Sequence, residues 1–177
     1  EDVPSVARAH LEIGRTERRL GRSADAEAAF RKAMAHPEEA RTACDALHEL
    51  ASLYRRAKKT DEARAALRQV IDGYPGQAST RAQALVRLAG LHRDAREYPQ
   101  AEECLRRCLA EHGDLWRVSV EALDDLVTLK LRVKEAAEAR RLLDTHGDAI
   151  KARFAGTSQE ERVERALEKV PSRARLE

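Results

Sequence analysis

Asparagine is absent from the 177 residues, and aromatic residues make up only 3% of them. Without asparagine the chain has no acceptor for N-linked glycosylation. Three Tyr, two Phe and one Trp, with eight Gly and five Pro, are too few for a sandwich or barrel of short strands. No apolar run approaches the ~18 residues that a membrane-spanning helix requires. The sequence is instead rich in Ala, Leu, Glu and Arg, which predicts an all-α protein.

Cysteine is also scarce, and neither sign of charge dominates. Cys44, Cys104 and Cys108 form an odd, sparse set, which argues against a disulfide framework and favours a reducing, cytoplasmic setting. Lys plus Arg number 33 and Asp plus Glu 31, which is too balanced for a protein that binds nucleic acid through bulk charge. The chain begins at Glu1 and its one methionine is Met34, so we expect a piece of a longer protein.

An internal repeat is the strongest pattern in the sequence. Small residues recur at intervals of 37, 38 and 38 positions: Gly14, Ala51, Ala89 and Val127. Each is followed after 12 residues by an alanine: Ala26, Ala63, Ala101 and Ala139. Around both sets, apolar residues recur at intervals of three and four, the spacing of a helical stripe. The pattern predicts four pairs of helices that cross where small side chains let two backbones approach closely.

The predicted helices cover 4–20 and 24–35, 38–57 and 61–73, 79–95 and 99–112, and 115–132 and 135–146. Ser23 is the predicted N-cap of the second helix, and Pro99 suits the first turn of the sixth. In the tail, Ser158 and Glu161 can form a capping box before a narrow apolar stripe over 163–170.

These positions resemble the signature of the tetratricopeptide repeat, in a bacterial-type array with a period of 37–38 residues. The family's early tryptophan is replaced by His10, Leu47, Leu85 and Leu123, and its later aromatic survives only as Tyr54. Because the period also exceeds the usual ~34, other α-solenoids stay open. The resemblance implies an all-α solenoid of four antiparallel helix pairs in a right-handed superhelix. The implied repeats lie at about 4–37, 38–75, 79–113 and 115–147, and a capping helix with a tail follows over 148–177.

The sequence carries no catalytic or cofactor-binding motif. It has no phosphate-binding glycine loop, no dinucleotide fingerprint and no nucleophile elbow, so we expect a non-enzymatic protein without cofactors. Cys104, Cys108 and His112 follow at four-residue steps on one helix face, which makes them a weak candidate for a zinc site. Packing is the favoured alternative, because Cys108 takes the repeat position that holds Ala33 and Val70 in other repeats.

In this family the first helix of each pair lines a concave groove. The resemblance implies these residues for partner binding: Arg15, Arg18, Arg19, His48, Ser52, Arg55, Arg56, Arg87, Arg93, Asp124, Asp125 and Arg132. Along each first helix the acids lie mostly toward the start and the arginines toward the end, which predicts a basic rim and a more acidic rim. Because the guanidinium fork of arginine binds a carboxylate through two parallel hydrogen bonds, an acidic peptide is the expected ligand. Compensation of the helix dipole explains the same sorting, and both interpretations stay open.

The predicted function is a non-catalytic scaffold that binds a protein or peptide in the groove of a repeat array. Two alternatives stay open: a regulatory or sensor segment of a larger signalling enzyme or transcription regulator, and self-association through the ends of the stack. The family's clamp for a chaperone's C-terminal carboxylate uses asparagine side chains, which this chain lacks. Neither nucleic acid nor membrane is an expected partner, since aromatic stacking residues are scarce and long apolar runs are missing.

Overall fold

The computed structural model describes residues 5–36, 38–157 and 159–168. Within these ranges the chain has nine helices and no strand, which confirms the all-α class. The helices are α1 (Val6–Arg19), α2 (Ser23–Met34), α3 (Ala40–Arg56), α4 (Thr60–Gly73), α5 (Ala78–Asp94), α6 (Tyr98–Glu111), α7 (Trp116–Arg132), α8 (Ala136–Phe154) and α9 (Glu160–Leu167). The chain divides into two compact units, unit 1 over residues 1–84 and unit 2 over 85–177, and α5 runs across the division. In the described part, no helix is long and apolar enough to cross a membrane.

The first seven helices begin and end within two residues of their predicted bounds. Two details of the prediction are wrong. Arg22, rather than Ser23, is the N-cap of α2, and α8 runs on to Phe154 instead of stopping at 146. Glycine often ends a helix, but Gly147 is buried inside α8, and Ile150, which is 5% exposed, continues the buried stripe. The predicted end of the repeats at 147 therefore falls within a helix.

Helices α1 and α2 cross at a glycine. A Cβ atom placed on Gly14 would lie 2.5 Å from two ring carbons of Phe30, which is fully buried, so a larger residue would displace the ring. The matching positions of the later repeats hold Ala51, Ala89 and Val127, all of them buried. The predicted close approach of paired helices is thus confirmed at this first crossing, because the glycine is what lets the ring reach the α1 backbone.

The turn inside each helix pair has the same hydrogen bonds in all four pairs. Its left-handed position holds Gly21, Lys58, Arg96 or Lys134, with φ between 59° and 78°. The N–H of the next residue donates to the carbonyl five residues earlier, at N···O distances of 2.8 to 2.9 Å. This is the Schellman arrangement that ends a helix. Three of the four turns form it with a residue that has a Cβ atom, for which the left-handed backbone is unfavourable.

The two residues joined by that backbone bond also contact each other through their side chains. The pairs are Glu17–Arg22 at 3.3 Å, Tyr54–Lys59 with the ammonium 5.9 Å from the ring centroid, His92–Glu97 at 2.5 Å and Lys130–Glu135 at 2.8 Å. An apolar contact is common at this place in such turns. Here each turn carries an ionic, hydrogen-bonded or cation–π pair, so the position of the family's second aromatic keeps a structural role after the aromatic is lost.

In unit 1 this position also links one helix pair to the next. The hydroxyl of Tyr54 donates to Glu27 of α2 at 2.8 Å and accepts from Arg31 at 3.3 Å. The carboxylate of Glu27 in turn pairs with Arg31 at 2.7 Å. A single side chain therefore connects the end of α3 both to its own turn and to the preceding helix.

In unit 2 the corresponding link is an ion pair. Lys130 is only 8% exposed, and its ammonium lies 2.7 Å from Glu102 of α6. Burial alone would raise the pKa of Glu102, but hydrogen bonds from Lys130 and Arg106 outweigh it and hold that pKa below its ordinary value. The ionised carboxylate is therefore the form that the folded state favours.

Helix α9 packs against α7 and α8, with Val163 and Leu167 as its buried residues at 1% and 7% exposure. The predicted apolar stripe is confirmed at these two positions. The N–H of Gly156 donates to Glu160 at 2.8 Å and so ties the turn to the start of α9. Ser158 of the predicted capping box lies outside the described residues, as does the part of the predicted tail beyond 168.

Replacing Arg96 by glycine should stabilise the protein by about 0.5–1 kcal/mol, because glycine adopts the left-handed turn backbone without a Cβ penalty. Chemical denaturation measures the change. The matched control is Arg68→Gly, which places the same substitution on an exposed position inside α4. It should lower stability by about 1 kcal/mol. A loss of stability with Arg96→Gly would contradict the free-energy cost that we assign to a residue with a Cβ atom in the left-handed position of the turn.

Glu102→Gln should destabilise the protein by about 1–3 kcal/mol at pH 7, because it removes one of the two carboxylates, Glu102 and Glu135, that pair with the buried ammonium of Lys130. The folded-state pKa of Glu102 lies below its unfolded value, so its contribution exists above the unfolded pKa of about 4.3 and is lost as pH falls through the folded pKa. Denaturation between pH 3 and 7 should show the variant and the parent converging at the acid end. The neighbouring exposed substitution Glu103→Gln should change stability little at any of these pH values.

Candidate functional site

The first helices of unit 1, α1 and α3, are joined by a shared carboxylate. Glu49 of α3 lies 3.1 Å from Nε of Arg15 and 3.3 Å from Nε of Arg18, and Arg15 also pairs with Glu12 at 2.7 Å. The side chains of Arg15, Arg18 and Glu49 are only 19–29% exposed. Two of the predicted groove arginines therefore hold α1 against α3, and little of their charge faces a partner.

Three other predicted arginines of unit 1 have a different environment. Arg19, Arg55 and Arg56 are exposed and lie in the last turns of α1 and α3. Among the described residues they make no ion pair or hydrogen bond through their side chains. The Schellman turn that follows each helix fixes the backbone of this last turn. These three guanidinium groups, called here the free arginine set, keep their capacity to bind carboxylates.

His48 and Ser52 make hydrogen bonds within unit 1. His48 is buried at 7% exposure, and its Nε2 lies 3.1 Å from the carbonyl oxygen of Thr80. The hydroxyl of Ser52 donates back to the carbonyl of His48 at 3.0 Å within α3. The His48 side chain therefore lies against the first turn of α5, and little of its surface is exposed.

In unit 2 the predicted acids of α7 face the arginines of α5. Arg93 pairs with Asp125 at 2.5 Å. Burial and the charge of Asp125 raise the pKa of Asp124. The same two causes raise the pKa of Glu121, and the charge of Arg87 acts in the opposite direction. These carboxylates are crowded and partly dehydrated, and Arg93 neutralises one of them. Arg87 and Arg132 are exposed.

Charge is distributed unevenly along the first helices. The last turns of α1, α3, α5 and α7 are basic, but none of the four has an acid in its first turn. Glu49 and Asp125 lie in the middle of their helices, where each meets an arginine of the preceding first helix. Dipole compensation therefore explains the arginines but not the acids, which serve to pair neighbouring first helices.

The role of Glu49 in pairing neighbouring first helices was not predicted, although the sequence contains a signal for this role. Arg15 and Glu49 are 34 positions apart, and Arg93 and Asp125 are 32 apart. The two spacings are shorter than their repeats of 37 and 38 residues by three and six residues, about one and two helical turns. Because first helices of successive repeats lie side by side, opposite charges at these spacings fall within reach of each other.

Two of the three residues suited to zinc are buried. Cys108 and His112 are buried at 0% and 3% exposure, and burial with the charges of Glu121 and Glu111 raises the pKa of the Cys108 thiol to about 12. A thiol in that state is protonated at neutral pH. The carbonyl of His112 accepts a hydrogen bond from buried Ser119 at 3.1 Å. Across the described ranges, no group of three or more His, Cys, Asp or Glu is placed to hold a metal ion, with or without Cys104.

Three segments of the chain match models of the tetratricopeptide repeat: residues 1–40, 45–76 and 81–112. No curated protein matches the sequence. Among solved structures, the chain is similar to MamA protein, with a TM-score of 0.59 and 17% identity over 93% of this chain and 90% of that one. It is also similar to the nearly identical TPR-like repeats ascribed to a Podosopora anserina kinesin light chain, with a TM-score of 0.59 and 20% identity over 98% and 96%.

At these identities the structural likeness shows the fold. It is the same fold that was described above from the helix pairs, their small-residue crossing and their common turns. The matched segments together cover more than half of the chain. Arrays of such repeats serve in general as scaffolds for protein interaction. From its repeated sequence positions, its helix pairs and these matches, the chain belongs to the tetratricopeptide repeat family.

Proposed function

We propose that this chain is a non-catalytic scaffold that binds an acidic protein segment through the free arginine set of α1 and α3. The observation that carries the proposal is the contrast between two groups of arginines on the same helices. Arg15 and Arg18 are half-buried and paired with Glu49, whereas Arg55 and Arg56 are exposed and carry no ion pair among the described residues. The first group stabilises the array, and the second remains for a ligand.

The chemistry of the guanidinium group favours a carboxylate-rich ligand. Each arginine presents N–H donors in a rigid fork that matches the two oxygens of a carboxylate. A single exposed ion pair contributes only about 0–1 kcal/mol, so one arginine would not hold a partner. Several adjacent forks on a scaffold that does not have to rearrange can act together, and the helix ends supply such a scaffold. The partner of this proposal is therefore an extended or helical segment with clustered Asp and Glu.

The proposal includes neither catalysis nor a cofactor. Burial and the charge of Asp45 raise the pKa of the Cys44 thiol to about 11, and that of Cys108 is raised to about 12, so both thiols are protonated at neutral pH. Cysteines in that state are packing residues and not nucleophiles. Their unpaired state fits the reducing, cytoplasmic setting that the sequence predicts.

The double substitution Arg55→Glu with Arg56→Glu tests the free arginine set directly. We expect at least a tenfold loss of affinity, about 1.4 kcal/mol, for a fluorescent peptide that contains six consecutive glutamates. Fluorescence anisotropy at low salt measures the binding. The same peptide should bind the parent chain more weakly as salt is added, because exposed charges are screened.

The matched control is Arg41→Glu with Arg68→Glu, which makes the same change in net charge at exposed positions elsewhere on α3 and α4. Its affinity for the glutamate peptide should stay within about twofold of the parent chain. A peptide with lysine in place of glutamate should not bind. Equal losses for both double variants would show that only net charge matters and would reject a defined site.

A further inference from the structure

Two members of the free arginine set occupy the same position in successive repeats. Arg19 is the last residue of α1 and Arg56 is the last residue of α3, and both are exposed. They are 37 positions apart, which is also the interval between Gly14 and Ala51 in the same two helices. The corresponding position of the next first helix holds Asp94. The uninterrupted row of arginines at this position therefore has two members, and both belong to unit 1.

The packing of α1 against α3 sets the distance between these two positions. The two helices are direct neighbours, and Glu49 of α3 lies 3.1 Å from Arg15 and 3.3 Å from Arg18, the residue before Arg19. Packed helices have axes about 8–10 Å apart. Because Arg19 and Arg56 are equivalent positions of neighbouring repeats, their backbones are separated by a similar distance.

An extended ligand can match this distance with carboxylates three residues apart. A polyproline II segment rises about 3.1 Å per residue with three residues per turn, so residues i and i+3 lie on one edge about 9.3 Å apart. In a β-strand, residues three apart point to opposite faces. The polyproline II backbone also needs no partner strand, because water satisfies its polar groups. This conformation therefore presents two acids at the spacing of Arg19 and Arg56.

The surface beside the arginines favours an extended segment over a helix. A helical partner docks through an apolar stripe that needs an apolar groove to receive it. The exposed residues that follow Arg56 are Ala57, Lys58, Lys59 and Thr60, which offer little apolar surface. The two lysines instead add positive charge at this end of the row. A ligand held mainly by its carboxylates fits this surface.

We propose that the acidic partner carries two carboxylate side chains three residues apart in a polyproline II segment, which crosses the ends of α1 and α3. One carboxylate binds Arg19, and the other binds Arg56 with Arg55 beside it. Because a single exposed ion pair is weak, the ligand gains affinity when both contacts form together. The inference rests on the proposed function and adds the spacing and the backbone conformation that the site selects.

Two peptides of the same composition test the spacing. Each has ten residues, with four glutamates and six prolines, and proline-rich segments adopt the polyproline II conformation. One peptide carries glutamate at every third position. The other carries its glutamates at every second position, so that no two of them are three residues apart. Fluorescence anisotropy at low salt should show that the whole chain binds the first peptide about fivefold more tightly than the second.

Arg19→Gln should remove most of this preference, because the row loses one end while Arg55 and Arg56 still bind single acids. Arg19 is exposed at the end of its helix, so the variant should keep the helical circular dichroism of the parent chain. The matched control is Arg8→Gln, the same change at an exposed position near the start of α1. This control should bind both peptides as the parent chain does.

The possible results separate this inference from the proposed function. If the chain binds neither of these peptides nor the one with six consecutive glutamates, the acidic partner is rejected and the inference with it. Equal binding of the two proline-rich peptides, abolished by Arg55→Glu with Arg56→Glu, would keep the acidic partner and overturn the spacing. A preference that survives Arg19→Gln would also overturn the spacing. Binding of the six-glutamate peptide alone would overturn the polyproline II conformation.

Discussion

The approach of α2 to α1 at Gly14 is the constraint on which the rest of the first repeat depends. The ring of Phe30 occupies the space that a Cβ atom on Gly14 would need, so this pair cannot close around a larger residue at that position. Because the helices lie so close, a short turn suffices to connect them, and the Schellman bonds complete it. The later repeats keep small or β-branched residues at this position and the same turn. Buried apolar packing thus brings each pair together, and the turn sets where its first helix ends.

The end of the first helix is also where polar interactions take over from apolar ones. Glu17, Tyr54, His92 and Lys130 share one position, and each contacts the residue that closes its own turn. Tyr54 and Lys130 reach further, to an acid of the preceding helix. An aromatic ring, an imidazole and two charged groups fulfil the same geometric role because the position lies half in the core and half at the surface. This explains how the family's aromatic could be lost without loss of the repeat.

The fold could be read from the sequence because its signal is periodic. The recurrence of a small residue and of an alanine 12 positions later gave seven helices to within two residues. The predicted end of α8 was wrong because the helix continues through Gly147, which is buried, and Ile150 extends its buried stripe. The candidate site was less predictable. Sequence register identifies which residues share a face, but it does not say that Arg15 is held by Glu49 while Arg55 is exposed, or that His48 is buried.

The ionic links between first helices have a mechanical consequence. In unit 1 the contact of α1 with α3 includes the bridge through Glu49, and in unit 2 the contact of α5 with α7 includes the pair of Arg93 with Asp125. These side chains are partly exposed, so dissolved ions weaken their attraction, while the apolar crossing inside each pair is unaffected. The ion pairs therefore make a contribution to the stiffness of each unit along its repeats that depends on the salt concentration. Such a unit is an elastic element whose compliance rises with ionic strength while its helices stay folded.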